Sequence, residues 1–258
     1  VVFAGVHGNE IASQLAAAIL AQAARVVGPR SDEDKSRSPK YSDGRVEIVG
    51  TLTVFPNANP AGCIAGMRYA SQWAGGDDHD LNRAFGSGHD AHSGRPGGSP
   101  ERQHAEEISA WIEAAQPSLV LDMHEGITPA EDPGWVPTPL WYAVDLSPGT
   151  DDRLVPSSVA GIYPAIWHHW QRNSLTGHAS GDLRVPALVQ ETDHEAMDLR
   201  TRIELHLAGA VACAASIGLT IEVDRSQVEF MLRTLAPIVA PSPPGYLAGL
   251  TLPDPHTS

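Results

Sequence analysis

Strand-like and helical segments alternate along these 258 residues, which predicts an α/β protein of three layers, with helices on both faces of a central mixed, largely parallel sheet. Short apolar runs such as "VVFAGV", "SLVLDM" and "VPALVQ" read as strands buried on both faces. Segments whose apolar residues recur every three or four positions stand between them as helices. With 42% hydrophobic residues over this length, the chain can bury one large core, so residues 1–258 are read as a single domain.

Residues 1–6 form the first expected strand, and "EIASQLAAAILAQAARVV" continues as an amphipathic helix of good helix formers. The polar stretch "GPRSDEDKSRSPKYSDGR" reads as a mobile surface loop, and the β-branched run before Pro56 as a strand. Residues 57–99 are rich in Gly, Asn, Asp and His without periodicity. A loop of that length in a compact domain points to function. A helix then starts with Ser99 as N-cap and Pro100 in its first turn, followed by the strand of "PSLVLDMHEG". Residues 153–173 are expected to be helical, "VPALVQET" a strand, 196–218 a long helix and 224–238 a last helix before a Pro-rich tail.

Lys and Arg number 17 against 31 Asp and Glu, a net charge of −14 that argues against nucleic acid or an anionic membrane as partner. No run of about 18 apolar residues suggests a transmembrane helix. Cys63 and Cys213 are too few for a disulfide framework and read as buried free thiols. This balance leans toward a soluble, cytoplasmic protein. The chain opens inside its first strand without Met, which leaves room for upstream residues, a cleaved signal included.

Ligands of open α/β sheets gather beyond the carboxyl ends of the strands. Three expected strands end there at His7, His124 and Glu191. Glu10, three residues after His7 across a strand-to-helix turn, can present its carboxylate beside the imidazole. Two histidines and one carboxylate suit zinc and leave a fourth position for water, the arrangement of a catalytic rather than a structural ion. A carboxylate must then move the proton of that water. Glu191, in an apolar context that favours proton uptake, is the candidate, with Glu125 as competitor.

Four motifs in this order, "HGNE", "NANPAGCIAGMRY" with "DLNRAF", "LDMHEG" and "VQETDHEAMDLRTRIELH", resemble the zinc carboxypeptidase superfamily, in particular its succinylglutamate desuccinylase/aspartoacylase branch. The resemblance spans about residues 1–220. It implies a single catalytic domain with one Zn2+ per chain, held by His7, Glu10 and His124, and Glu191 as the group that activates water. By the same resemblance Arg68 steadies the oxyanion, and Asn82 and Arg83 grip a substrate carboxylate. A guanidinium's paired hydrogen bonds suit that task. The implied substrate is a small carboxylate-bearing amide or peptide. Two departures bear on the pocket. The branch carries a β-rich domain after the long helix, whereas only 40 residues follow residue 218, and "DLNRAF" runs on into "GSGHDAHSGRPGG" rather than Pro-Gly.

Each motif also has a plainer reading. His7 and Glu10 alone are a turn histidine and a first-turn acid favoured by the helix dipole. Asp80 and Asn82 alone are turn formers, and Arg83 a surface ion pair. Asp122 either orients a ligand or is a satisfied buried acid, and Glu125 either a loop acid or a partner of a ligand histidine. His79, His89, His92 and His104 read as solvated loop residues and His168 and His169 as a helix face, while His178 has no assignment. The sequence thus supports an N-acyl-amino-acid deacylase first, a metallocarboxypeptidase second, and a zinc protein without turnover third.

Overall fold

The computed structural model describes residues 1–27, 50–69, 79–86, 99–126, 140–144, 166–168, 173–193 and 197–234. The expected loop of 28–45, His89, His92, His169 and the Pro-rich tail lie outside them. A six-stranded sheet in the order β3-β1-β4-β7-β5-β6 forms the centre. It comprises β1 (Val2–Ala4), β3 (Val54–Phe55), β4 (Val120–Gly126), β5 (Leu140–Val144), β6 (Ile166–His168) and β7 (Ala187–Asp193). All pairings are parallel except β5 with β7, so the sheet is mixed and largely parallel, as the alternation predicted.

The apolar strand runs arise because both faces are covered. Val2, Ala4, Leu121, Met123 and Leu188 join a core with α1 (Ile11–Ala23), α5 (Leu199–Ser216) and α6 (Arg225–Thr234). Phe3, Val120 and Ala187 face the opposite core, with α3 (Pro100–Ala115) and α4 (Leu175–Gly181). Alternate residues of one strand thus serve two cores. Helix α1 buries Ala12, Ala16, Ile19, Leu20 and Ala23, the three-and-four spacing of its sequence. Helix α3 begins as expected, the Ser99 side chain accepting from Arg102 N–H and Pro100 in the first turn.

Several expectations are corrected. The first helix stops at Ala23, and Ala24–Val27 form β2, which pairs antiparallel with β8 (Thr220–Val223) in a small second sheet. Cross-strand pairing of "ARVV" with "TIEV" wins over modest helix propensity there. Within 57–99, helix α2 (Pro60–Ala65) and a 3-10 turn (Leu81–Arg83) are ordered. Residues 166–168, expected helical with His168 on a helix face, are strand β6, because "IWH" pairs with β5. Cys213 is buried, but Cys63 is only half-buried. No described helix is long and apolar enough to cross a membrane.

Candidate metal centre

Strand β1 ends in a tight turn at Gly5, whose φ of 70° favours glycine. Asn59, the N-cap of α2, fastens this turn. Its side-chain oxygen accepts from Gly62 N–H and its amide donates to Val6 C=O, while its own backbone N–H donates to Gly5 C=O. The chain then passes through His7 to Glu10, the N-cap of α1. A Cβ on Gly8 would lie 2.0 Å from the Gly62 carbonyl carbon, so α2 packs directly on the backbone between the two polar residues.

His7, Glu10 and His124 are buried together, and their ligand atoms lie within 4.8 Å of one another. Glu10 Oε1 is 2.6 Å from His7 Nδ1, Glu10 Oε2 is 2.9 Å from His124 Nδ1, and the two Nδ1 atoms are 3.2 Å apart. Donors around a tetrahedral ion with bonds of 2.0–2.1 Å stand about 3.3 Å apart, so the triangle needs little change to close on zinc. Each imidazole is oriented from its far side: His7 Nε2 is 3.1 Å from Asp80 Oδ1, and His124 Nε2 is 2.9 Å from Asp122 Oδ2. With Nε2–H donating to the aspartates, both Nδ1 lone pairs face each other, which requires positive charge between them. Carboxylate–imidazole pairs of this kind are what hold metal-ligating histidines.

Electrostatics agrees. Burial opposes protonation of His7, but the carboxylates of Glu10 and Asp80 outweigh it and raise its pKa from the usual histidine value. His124 is raised further, burial being overcome by Asp122 and Glu10. Burial alone would raise Glu10 and Asp80, yet both stay well below the carboxylate range, Glu10 through His7 and His124, Asp80 through His7 and Arg68. The buried carboxylates thus favour positive charge at the two imidazoles, which protons or a metal ion would supply.

His124 of β4 and Glu191 of β7 are register partners, and both project to the face shared with α3 and α4. Glu191 Oε2 is fully buried without a hydrogen-bond partner among the described residues. Burial pushes its pKa up to about 8, and His124 opposes that rise. Glu125 projects to the other face of β4, toward α1 and Arg202, and cannot compete for the place of Glu191.

Arg68, whose side chain is 38% exposed, donates from Nη2 to Asp80 Oδ2 at 2.9 Å. Asp80 also caps the 3-10 turn, its Oδ1 accepting from Asn82 N–H at 2.8 Å. Asn82 is buried and its side-chain oxygen accepts from Leu175 N–H, locking the turn onto the start of α4, while Arg83 donates to Asn82 C=O. Asp80 therefore links His7, Arg68 and the DLNR turn. The spacing of Asp80 two residues before Asn82 held that signal, but turn chemistry alone did not say what the carboxylate would reach. His178 pairs with Asp182 at 2.8 Å, and His79 lies 3.6 Å from Glu101.

Residues 40–131 match the family model of the succinylglutamate desuccinylase/aspartoacylase catalytic domain. Over those residues the chain is similar to that catalytic domain, and its fold is like that of the solved structures below. The match includes Arg68, Asn82, Arg83 and His124, while His7, Glu10 and Glu191 lie outside it. Many solved structures resemble the chain. The cell shape determinant Csd4 of Helicobacter pylori, solved with a tripeptide, is 17% identical with a TM-score of 0.59, covering 90% of this chain and 55% of its own. The ectoine utilization protein EutE (DoeB) of Ruegeria pomeroyi is 17% identical with a TM-score of 0.53, covering 87% and 59%. A succinylglutamate desuccinylase of Silicibacter sp. TM1040 is 16% identical with a TM-score of 0.54, covering 86% and 59%. The chain thus spans a little over half the length of each. No curated protein matches it in sequence.

Proposed function

We propose that this protein is a zinc-dependent hydrolase that cleaves an amide bond near a free carboxylate, with an N-acyl amino acid as the first-choice substrate class. The observation that carries the reading is the buried His7–Glu10–His124 triangle with Glu191 beside it across the β4–β7 register, its Oε2 buried and without a hydrogen-bond partner among the described residues. One zinc per chain, held by those three residues, would supply the Lewis acidity that polarises the scissile carbonyl and makes water reactive.

The chain's own groups do the rest. Glu191 takes a proton as water adds to the carbonyl carbon, and returns it to nitrogen as the C–N bond breaks, leaving a carboxylic acid and an amine. Its raised pKa suits a group that must both accept and donate near neutral pH. Arg68, held by its bond to Asp80, steadies the oxygen on which charge develops. The Arg83 guanidinium and the Asn82 amide hold the substrate carboxylate, on a turn fixed to α4.

The family model favours deacylation. A carboxypeptidase is the second reading, favoured by the likeness to Csd4, which is described as a D,L-carboxypeptidase. The test is amine release by the zinc-loaded protein from N-acyl amino acids and from short peptides, with Glu191→Gln as control. Turnover of acyl amino acids alone is the expected result, whereas stepwise loss of C-terminal residues from peptides would establish the second reading. A Glu191→Gln variant as active as the parent would remove Glu191 from the mechanism. Zinc binding without turnover of either class would leave a binding protein.

A further inference from the structure

Glu10 occupies the N-cap of α1, where an acidic side chain ordinarily folds back to accept the N–H of the second or third helical residue. It makes no such bond here. Both of its oxygens are turned to the histidines instead, so metal ligation and helix capping compete for one carboxylate. The cap comes from elsewhere. Glu125 Oε2, reaching over from the end of β4, accepts the N–H of Ala12, the second residue of α1, at 2.8 Å. Its other oxygen accepts from Arg202 Nη1 on α5, and both side chains are largely buried.

His124 and Glu125 are successive residues of one strand and project to opposite faces. The first belongs to the metal triangle, and the second grips the helix that begins at another member of it. We infer that the Glu125–Arg202 pair is a positioning device, capping α1 in place of Glu10 and so leaving the Glu10 carboxylate free to bind metal. This rests on the metal reading of the site and assigns a role to two residues that touch neither metal nor substrate. Arg202 contributes by countering the buried charge of Glu125 and fixing its direction, since an unpaired carboxylate there would be costly.

The test is a double-mutant cycle on zinc affinity, measured by competition with a chromogenic chelator and independent of turnover. Glu125→Ala is expected to weaken zinc binding about 10- to 100-fold. Because that loss acts through Glu10, the Glu10→Ala/Glu125→Ala double variant should bind within about threefold of Glu10→Ala alone. A structural role unconnected with Glu10 gives additive losses, and additivity, or parental affinity in Glu125→Ala, would overturn the inference. If circular dichroism shows Glu125→Ala unfolded, the Glu125→Gln/Arg202→Met variant decides. Its amide oxygen keeps the bond to Ala12 without a buried charge, so affinity within about threefold of the parent supports the inference and a tenfold loss overturns it. A parent protein that binds no zinc would instead overturn the metal reading, and this inference with it.

Discussion

Asp80 serves three neighbours with two oxygens: Oδ1 meets His7 Nε2 and Asn82 N–H, and Oδ2 meets Arg68. Asp122 serves His124 alone among these groups, through Oδ2. The two substitutions should therefore part company. In Asp80→Asn the remaining oxygen can keep His7 and the turn, while the new NH2 faces the Arg68 guanidinium and repels it. Zinc affinity is expected to stay within about threefold of the parent, with kcat down about tenfold at saturating zinc. Asp122→Ala leaves the imidazole of His124, a proposed zinc ligand, unsupported and should weaken zinc about 10- to 100-fold, with the rate recovering as zinc is raised. Chelator competition alongside zinc-titrated kinetics separates the two, and a reversed pattern would show that Asp80 does not steer Arg68.

At the scale of elements, the site depends on how closely α2 approaches the β1–α1 turn. The Cβ of Gly8→Ala would meet backbone atoms of Gly62 and Cys63 at 2.0–2.4 Å, a clash that only backbone movement relieves. The expected cost is about 1–3 kcal/mol in urea unfolding of the metal-free protein, with weaker zinc binding because His7 and Glu10 flank the displaced turn. Unchanged stability and affinity would mean that α2 can withdraw freely. The strands that carry His124 and Glu191, and the one that precedes His7, were legible in the sequence because runs buried on both faces are apolar throughout. Their ends were not: β1 stops at Ala4, and β4 and β7 run two residues beyond His124 and Glu191. Strand β6 and the β2–β8 pair were not, since short segments such as "IWH" and "ARVV" become strands only through partners far along the chain. Helix α4 was hidden for a related reason. "LTGHASG" contains two glycines, and its start is fixed by Ser174 accepting from Gly177 N–H and by Asn82 capping Leu175, of which only the serine is local. The roles of Asp80 and Glu125 were illegible in the same sense, because each carboxylate acts across about 70 residues or more of chain.

Taken whole, the molecule buries a histidine behind the sheet from the candidate metal centre. His206 of α5 is fully buried, with Nε2 3.1 Å from Thr192 Oγ1 on β7, and burial pushes its pKa down to about 3. In the unfolded chain its imidazole takes up a proton near pH 6.5; in the native protein it stays neutral until pH falls to about 3. Between these values the unfolded state holds one more proton than the native state, so this group makes stability fall as pH drops, by about 1.4 kcal/mol per unit. Glu191 acts in the opposite sense. Raised to about 8, it keeps a proton in the native protein that an unfolded glutamate has lost above pH 4.5, which favours folding at lower pH. Between about pH 4.5 and 6.5 the two slopes offset, so over that window the pH dependence of the parent alone would reveal neither. The difference between the parent and His206→Gln isolates the histidine, because glutamine does not titrate. Urea unfolding of both metal-free proteins should show the parent losing about 2 kcal/mol relative to the variant between pH 6 and pH 4.5. A constant difference over that range would mean that the native imidazole takes up its proton as readily as the unfolded one, so that the interior beside Thr192 admits charge without unfolding.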